Sequence, residues 1–258
     1  MGHYIELSLF DLALATLLIV IASMVSLVLH LGITSTLILA AARCGLQLGA
    51  IGLVLRQIFG MKNPVLVVSW LLLMLFFAAR EATRRSKKRY QGILLDSLLT
   101  MTASSLIAGG LVTQVVIRSD PWYDPQYTIP IFGMIFGNSL NGISLGLERL
   151  MDYVRGRAQE IELLLAFGAT REEALREGAK MAVRTGMIPI INNMTVAGIV
   201  SLPGMMTGQI IAGASPIQAV SYQIVIMFMI AASNAIGTMT ISRLAGRRLV
   251  TNLGIQWI

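Results

Sequence analysis

Seven apolar blocks set the rhythm of the chain, at Leu7–Leu31, Ile33–Leu55, Pro64–Ala79, Ile93–Ile117, Ile129–Leu147, Met187–Ile211 and Val220–Ile241. A helix needs about 20 apolar residues to cross a hydrocarbon core, because lipid offers the backbone no hydrogen-bond partners. Six blocks meet that length and the third falls short of it. The pattern predicts an all-α integral membrane protein of about seven transmembrane helices, with one permease domain over residues 1–258. Six spans with one block lying at the interface is the competing count.

Polar residues gather between the blocks. Three basic segments, at Arg80–Arg89, Arg149–Arg184 and Arg243–Arg248, hold sixteen of the twenty Lys and Arg residues. With seven spans all three fall on one face, which the positive-inside rule assigns to the cytoplasm and which leaves the N-terminus outside. A multi-pass protein of the inner (plasma) membrane is expected, or of an organelle membrane in a eukaryote. Glu6 and Asp11 precede the first block, with no basic leader or small-residue cleavage site, so that block reads as a retained span. The opposite face receives short loops such as Ser119–Pro125, whose prolines stop helices and whose aromatics suit the interface.

One basic segment is too polar to cross and too long for a plain connection. Over residues 148–186, Leu147, Leu150, Met151, Val154, Ile161, Leu164 and Leu165 recur at helical spacing opposite Arg149, Asp152, Arg155, Arg157 and Glu162. The helix should end at Gly168-Ala169, where glycine can adopt a left-handed cap. Thr170-Arg171-Glu172-Glu173 then reads as a capping box that starts a second helix. A cytoplasmic amphipathic helix–turn–helix results, either packed on its own bundle and lipid headgroups or serving as a docking turn for a cytosolic motor.

Composition narrows the field. Hydrophobic residues make up 55% and charged residues 13% of the chain, against about 25% charged in a soluble domain, so a water-soluble fold is excluded. A net charge of +7 would suit nucleic acid, but the basic residues lie between apolar blocks rather than along one soluble face, and no nucleic-acid partner is expected. Cys44 alone supports neither an internal disulfide nor a cysteine-based zinc cluster.

Polar residues inside the blocks are the candidates for a path or a gate. A charge at the bilayer centre costs about 2.5–3.5 kcal/mol on insertion scales, so Arg43 and Asp96 should face protein or water. Arg43 and Gln47 share a helix face, as an interhelical clamp or as part of a path. Asp96, near a cytoplasmic end, should pair with Arg89 or Lys88. Asn138, Asn141, Asn192, Asn193 and Asn234 can bond between helices or hydrate a passage. Gly133 and Gly137 have the spacing of a close helix contact. Pro203-Gly204 should kink or break the sixth span, which makes Ser201, Pro203, Gly204, Met205 and Met206 a candidate gate. Fifteen methionines are soft donors suited to Cu(I), yet they also fill irregular apolar space. His3 and His30 define no metal site, and the metal ligands, if any, are unknown.

The run Glu162-Leu163-Leu164-Leu165-Ala166-Phe167-Gly168-Ala169-Thr170, with Glu160 ahead of it, resembles the EAA-type loop of ABC transporter permeases. In that loop an acidic, alanine-containing helix ends in a Gly-Ala-Ser/Thr turn that sits in a groove of the ATP-binding subunit. The resemblance implies ATPase-coupling roles for Glu160, Glu162, Ala166, Gly168, Ala169 and Thr170. The usual loop reaches its closing Leu-Pro pair sooner than Gly168 reaches Pro189 here.

Further segments resemble the Fet-type iron-export family of permeases, whose plant relatives are linked to aluminium tolerance. They are Arg43–Leu48, Ile129–Asn138, Phe167–Thr170, Val200–Gly208, Ala212–Pro216 and Tyr222–Ile224, in the family's order along nearly the whole chain. The resemblance implies two copies of this chain in one membrane assembly, with ATP and Mg in a separate cytosolic ATPase and no cofactor in the chain itself. It also implies export of iron or of another metal or metal-linked solute. Where the family's sixth span usually carries an Asp and, three residues later, a Lys, this chain has Asn192 and Thr195, so a charge-based substrate role there does not carry over.

The absence of a Gly-Lys-Ser/Thr phosphate loop fits a motor on another chain. Two rivals remain: an ion-coupled secondary transporter, which would need embedded titratable groups beyond Asp11, Asp96 and Arg43, and an intramembrane enzyme, which would need a nucleophile and base at depth.

Overall fold

Ser8 opens the first helix with a reciprocal cap. Its hydroxyl accepts the Asp11 N–H at 3.2 Å while the Asp11 carboxylate accepts the Ser8 N–H at 2.8 Å, satisfying amides that no earlier turn can reach. α1 (Leu9–Val28) follows, and a turn through His30 and Gly32, both at positive φ, reverses the chain into α2 (Thr34–Met61). The Thr34 hydroxyl donates to Ser26 Oγ at 2.9 Å across that turn.

This computed structural model describes residues 8–61, 63–85, 90–251 and 254–255; His3, Glu6, Leu7, Lys87, Lys88 and Arg89 lie outside them. The chain packs as two compact units, one of residues 1–62 with 211–213, the other of residues 63–210 with 214–258.

The second unit holds α3 (Pro64–Arg85), α4 (Ile93–Leu111) continued by a π-helical stretch (Val112–Ile117), and α5 (Pro125–Gly156). α5 begins where Asp124 accepts the Gln126 N–H at 3.0 Å and Pro125 takes the first helical position, which needs no donor. Two short helices, α6 (Ala158–Ala166) and α7 (Arg171–Ala174), lead into α8 (Arg176–Val196), α9 (Gly204–Ile211) and α10 (Pro216–Leu249). A two-residue antiparallel ladder, β1 (Val250–Thr251) with β2 (Gly254–Ile255), follows α10.

Among the described residues five helices are long and apolar enough to cross a membrane: α1, α2, α3, α4 with its π-helical extension, and α10. The fifth apolar block lies within α5. The sixth block, Met187–Ile211, is two helices separated at Ala197–Pro203, so the kink or break expected at Pro203-Gly204 is present as a break. The non-helical stretch starts upstream of Pro203 because Gly198 turns to φ +83° and the Val196 carbonyl accepts from Val200 at 3.0 Å, while the Gly198 N–H bonds to Ser201 O at 2.9 Å. Pro203 caps the next helix, its carbonyl accepting the Thr207 N–H at 3.0 Å.

α5, α8 and α10 form the centre of the second unit. A Cβ added at Gly186 would lie 2.6 Å from the Gly142 carbonyl oxygen and would overlap Thr238 Cγ2; one at Gly146 would lie 3.3 Å from the Ala182 carbonyl oxygen. Lipid supplies little hydrophobic drive for helix association, so such backbone approaches and interhelical hydrogen bonds must do the holding. Ser139 and Ser233 supply one such bond between α5 and α10 at 3.1 Å. The close pair is therefore Gly142 and Gly146, not Gly133 and Gly137, since Gly133 meets only the tip of Met74 and Gly137 has nothing within 4 Å.

Gly186→Ala should lower stability in detergent by about 1–3 kcal/mol through overpacking against backbone, whereas Gly137→Ala should leave the unfolding midpoint unchanged or slightly raised. Equal midpoints for the two variants in thermal unfolding would dismiss the crossing as a packing constraint.

Candidate functional site

The turn between α6 and α7 is fastened from both sides. Leaving α6, the Gly168 N–H bonds to Leu165 O and the Ala169 N–H to Leu164 O, each at 3.0 Å, with Gly168 at φ +89°. That is the Schellman arrangement, which a residue with a Cβ would enter only under strain. Entering α7, the Thr170 hydroxyl accepts the Glu173 N–H at 3.3 Å, and the Glu173 carboxylate accepts the Thr170 N–H at 2.7 Å. The capping box read from sequence is present with both halves. The Thr170 backbone N–H, and next its hydroxyl, hold the Glu173 carboxyl below the usual carboxylate range.

The helices flanking this turn are two-faced. Leu147, Leu150, Met151, Val154 and Ile161 are buried, and so are Ala174 and Leu175 beyond the turn. Together with Ala182 and Ala245 they belong to one apolar cluster, so the inner face of the hairpin packs on its own bundle. The tip does not. Glu162, Ala166 and Gly168 are exposed and Ala169 is half-buried, while Glu160 makes only a surface pair with Arg157 at 3.2 Å. Phe167 is 82% exposed beside exposed Leu163 and Leu164. Leu164, read as part of the buried stripe, thus faces outward. A bare phenylalanine on a turn rich in charge was missed as a site residue, although its place next to Gly168 was visible.

The break between α8 and α9 borders a cavity of about 380 Å³ lined by Met194, Met206 and Met227, with Pro203, Gln223 and Phe228 among the other walls. Gln223 is buried, and its Oε1 has no hydrogen-bond partner among the described residues. Of the expected gate, Pro203 and Met206 line this cavity. Met205 packs against the apolar cluster of Ile190, Ile226 and Met229. Ser201, Gly204 and Asn192 are exposed. Asn138 spends its amide on the Met134 carbonyl of its own helix, at 2.8 Å. Arg43 and Gln47 are exposed on α2 in the other unit. Among the described residues no group of three or more His, Cys, Asp or Glu could hold a metal ion.

A family model described as "Uncharacterised protein family (UPF0014)" matches residues 9–250. This chain belongs to the UPF0014 family. The UPF0014 membrane protein slr1647 of Synechocystis is 40% identical over 82% of this chain and 82% of its own length. The "Probable iron export permease protein FetB" of Escherichia coli is 31% identical over 92% of this chain and 90% of its own. The protein ALUMINUM SENSITIVE 3 of Arabidopsis thaliana is 31% identical over 88% and 82%. No solved structure matches the chain.

This UPF0014 protein also closes one end of its bundle with a buried charge. Asp96 on α4 is 1% exposed and accepts from Arg248 Nε on α10 at 2.7 Å. The expected partners, Lys88 and Arg89, lie outside the described residues; the partner found is 152 positions away in sequence. Gly92, at φ +89°, makes room for it, because a Cβ there would sit 2.7 Å from the Arg248 guanidinium.

Two outcomes follow for this UPF0014 chain. Arg248→Gln strands a buried carboxylate, whereas Asp96→Asn leaves a guanidinium side chain that is 42% exposed and can reach water. The thermal midpoint should fall further for Arg248→Gln, and the reverse order would refute the pairing. At the turn, the folded Glu173 pKa is depressed, so the cap's contribution is complete above the ordinary carboxylate pKa and is lost as pH falls through the depressed value. The protection factor of the Thr170 amide should hold through the ordinary glutamate range and fall only below it. Glu173→Gln should abolish that dependence.

Proposed function

We propose that this UPF0014 protein is the permease subunit of an ATP-binding cassette transporter that exports iron or another metal or metal-linked solute. The observation that carries the reading is the doubly capped turn at Gly168, which holds Phe167 outward on two helices whose inner faces are locked into the bundle. Such a turn is rigid on its own side and adhesive on the other, which suits a lever moved by a separate protein. Anchoring aromatics of this kind carry a large share of interface energy.

In this reading a cytosolic ATPase, holding ATP and Mg, receives the turn, and residues 148–186 pass its closure to α5 and α8. Two copies of the chain form the passage in the inner membrane through about seven spans, with the N-terminus outside. The cavity beside the α8–α9 break, with its thioethers and unpartnered Gln223 carbonyl, is the place for the solute. The name of the Escherichia coli relative supports export of iron, and the high coverage of both chains supports carrying a permease role across.

An ATPase subunit should co-purify with the tagged chain from its native membranes. Phe167→Ala removes an anchor worth about 2 kcal/mol when buried, so retention of the ATPase should fall roughly thirtyfold with membrane insertion intact. Gly168→Trp should abolish it. Undiminished ATPase recovery with both variants would sink the proposal.

A further inference from the structure

Where α7 and α8 lie against the last two turns of α10, Arg171, Arg176, Arg243 and Arg247 ring a cavity of about 200 Å³ with a single carboxylate, Glu172, among them. Setting Arg171 aside, Arg176, Arg243 and Arg247 against that one carboxylate leave two positive charges in excess. Glu172 accepts from Arg247 at 3.4 Å, while Arg176 and Arg243 have no ion-pair partner among the described residues. The floor is apolar and tightly fitted. Leu175 is buried there, and a Cβ on Gly246 would meet Leu175 Cδ1 at 2.9 Å. Ser242, also in the lining, turns its hydroxyl to the Thr238 carbonyl at 2.6 Å and so shows little polarity to the cavity.

We propose that this groove binds the headgroup phosphate of an anionic phospholipid. Three features select that occupant. The first is charge, since like charges held around one cavity repel unless an anion sits between them. The second is level. Arg243 and Arg247 follow the apolar stretch of α10, a helix long and apolar enough to span, and a membrane around that stretch would bring headgroups to them. Basic pockets between helices on the cytoplasmic side are fitted to such groups. The third is size and lining. The cavity is smaller than the roughly 300–1,000 Å³ that receives a drug-sized ligand, which suits a phosphate group, and its Leu175–Ala179–Gly246 side suits the glycerol and first methylenes of a lipid.

The proposal does not rest on the ATPase reading, because the residues varied in its test, Arg176 and Arg243, lie outside the turn at Phe167–Thr170. A phospholipid held here would bridge the start of α8 to the end of α10. The hairpin would then be tied to a spanning helix through the Arg groups.

The test uses the purified full chain without any ATPase, in nanodiscs and by native mass spectrometry. Phosphatidylglycerol should be retained over phosphatidylcholine and should raise the unfolding midpoint. Arg176→Gln with Arg243→Gln should bind phosphatidylglycerol about thirtyfold more weakly, at about fivefold per charge, and the corresponding double Lys variant should recover most of that loss. Should the Gln variant fail to fold, a salt titration of the unaltered chain decides, because retention must weaken as salt rises. Equal retention of the two lipids, no salt dependence, or unchanged affinity in a folded Gln variant overturns the proposal. A midpoint shift produced equally by inorganic phosphate alone overturns the lipid assignment in favour of a free-phosphate site. In a separate pull-down from native membranes, loss of ATPase recovery by the Gln variant, with phosphatidylglycerol binding unchanged, overturns it in favour of a protein interface.

Discussion

The second unit depends on one backbone approach, the crossing of α5 over α8 at Gly142 and Gly186 with α10 pressed in through Thr238. Any Cβ at Gly186 would push against a carbonyl oxygen that cannot swing aside. Without side chains between them, the helices come close enough for Cα–H to carbonyl contacts and for dispersion along their backbones, which matters where lipid competes on equal terms for apolar surface. Gly186 is also the midpoint of α8, ten residues from Arg176 and ten from Val196. At 1.5 Å per residue each arm is about 15 Å long. The turn lies at one end of this rod and the methionine-lined cavity at the other. Pro189, one turn past the crossing, lacks the N–H that would bond Thr185 O, so compliance in α8 is concentrated on the cavity side of the pivot.

The core around that pivot is unusually polar for an apolar chain. Ser97, Thr100, Ser104 and Ser105 on α4 are buried, as are Ser139 on α5 and Ser233, Asn234 and Thr238 on α10. Ser104, Ser105 and Thr238 bond to carbonyls within their own helices, as Thr238 does to Asn234 at 2.7 Å, Ser139 and Ser233 bond to each other, and Ser97 Oγ and Thr100 Oγ1 have no partner among the described residues. Where the bond closes within the helix, serine and threonine act as small residues that let helices approach. The interior thus combines bulky side chains such as Ile135, Ile143 and Leu147 with small hydroxyl residues that let the helices close up.

What could be read from sequence follows from the range of the interaction concerned. The Thr170–Glu173 box and the Gly168 cap are local, set within six residues, and both were visible. The buried stripe Leu147–Ile161 was visible too, since helical periodicity is a short-range pattern; only Leu164 was misassigned, because the periodicity does not say where the bundle surface ends. Gly142 and Gly146 have the same spacing as Gly133 and Gly137, and only the neighbour's position tells the pairs apart. The break was legible at Pro203 because proline announces itself, whereas its start at Gly198 was not, since a glycine at positive φ looks like any membrane glycine. The partnership of Asp96 with Arg248 joins distant parts of the chain and has no local trace. Of the expected path residues, Pro203 and Met206 meet at one cavity, and their companions Met194, Met227 and Gln223 come from α8 and α10, so their convergence is a tertiary fact.

The end of α10 shows how one basic cluster divides its labour. By composition Arg243, Arg247 and Arg248 are interchangeable markers of a cytoplasmic face. Successive helix positions are turned by about 100°, so Arg247 and Arg248 cannot serve the same neighbour. Arg248 faces α4 and neutralises Asp96 in the bundle; Arg247 faces the hairpin and meets Glu172; Arg243, one turn earlier, stays open beside Arg247. The inward one fixes how α4 and α10 close, and that closure fixes the rotation of α10, which in turn decides that the other two point toward α7 and α8. A charge excess there is thus a geometrical consequence of burying Asp96, and the turn at Gly168 is attached to a surface whose electrostatics the bundle interior has already set.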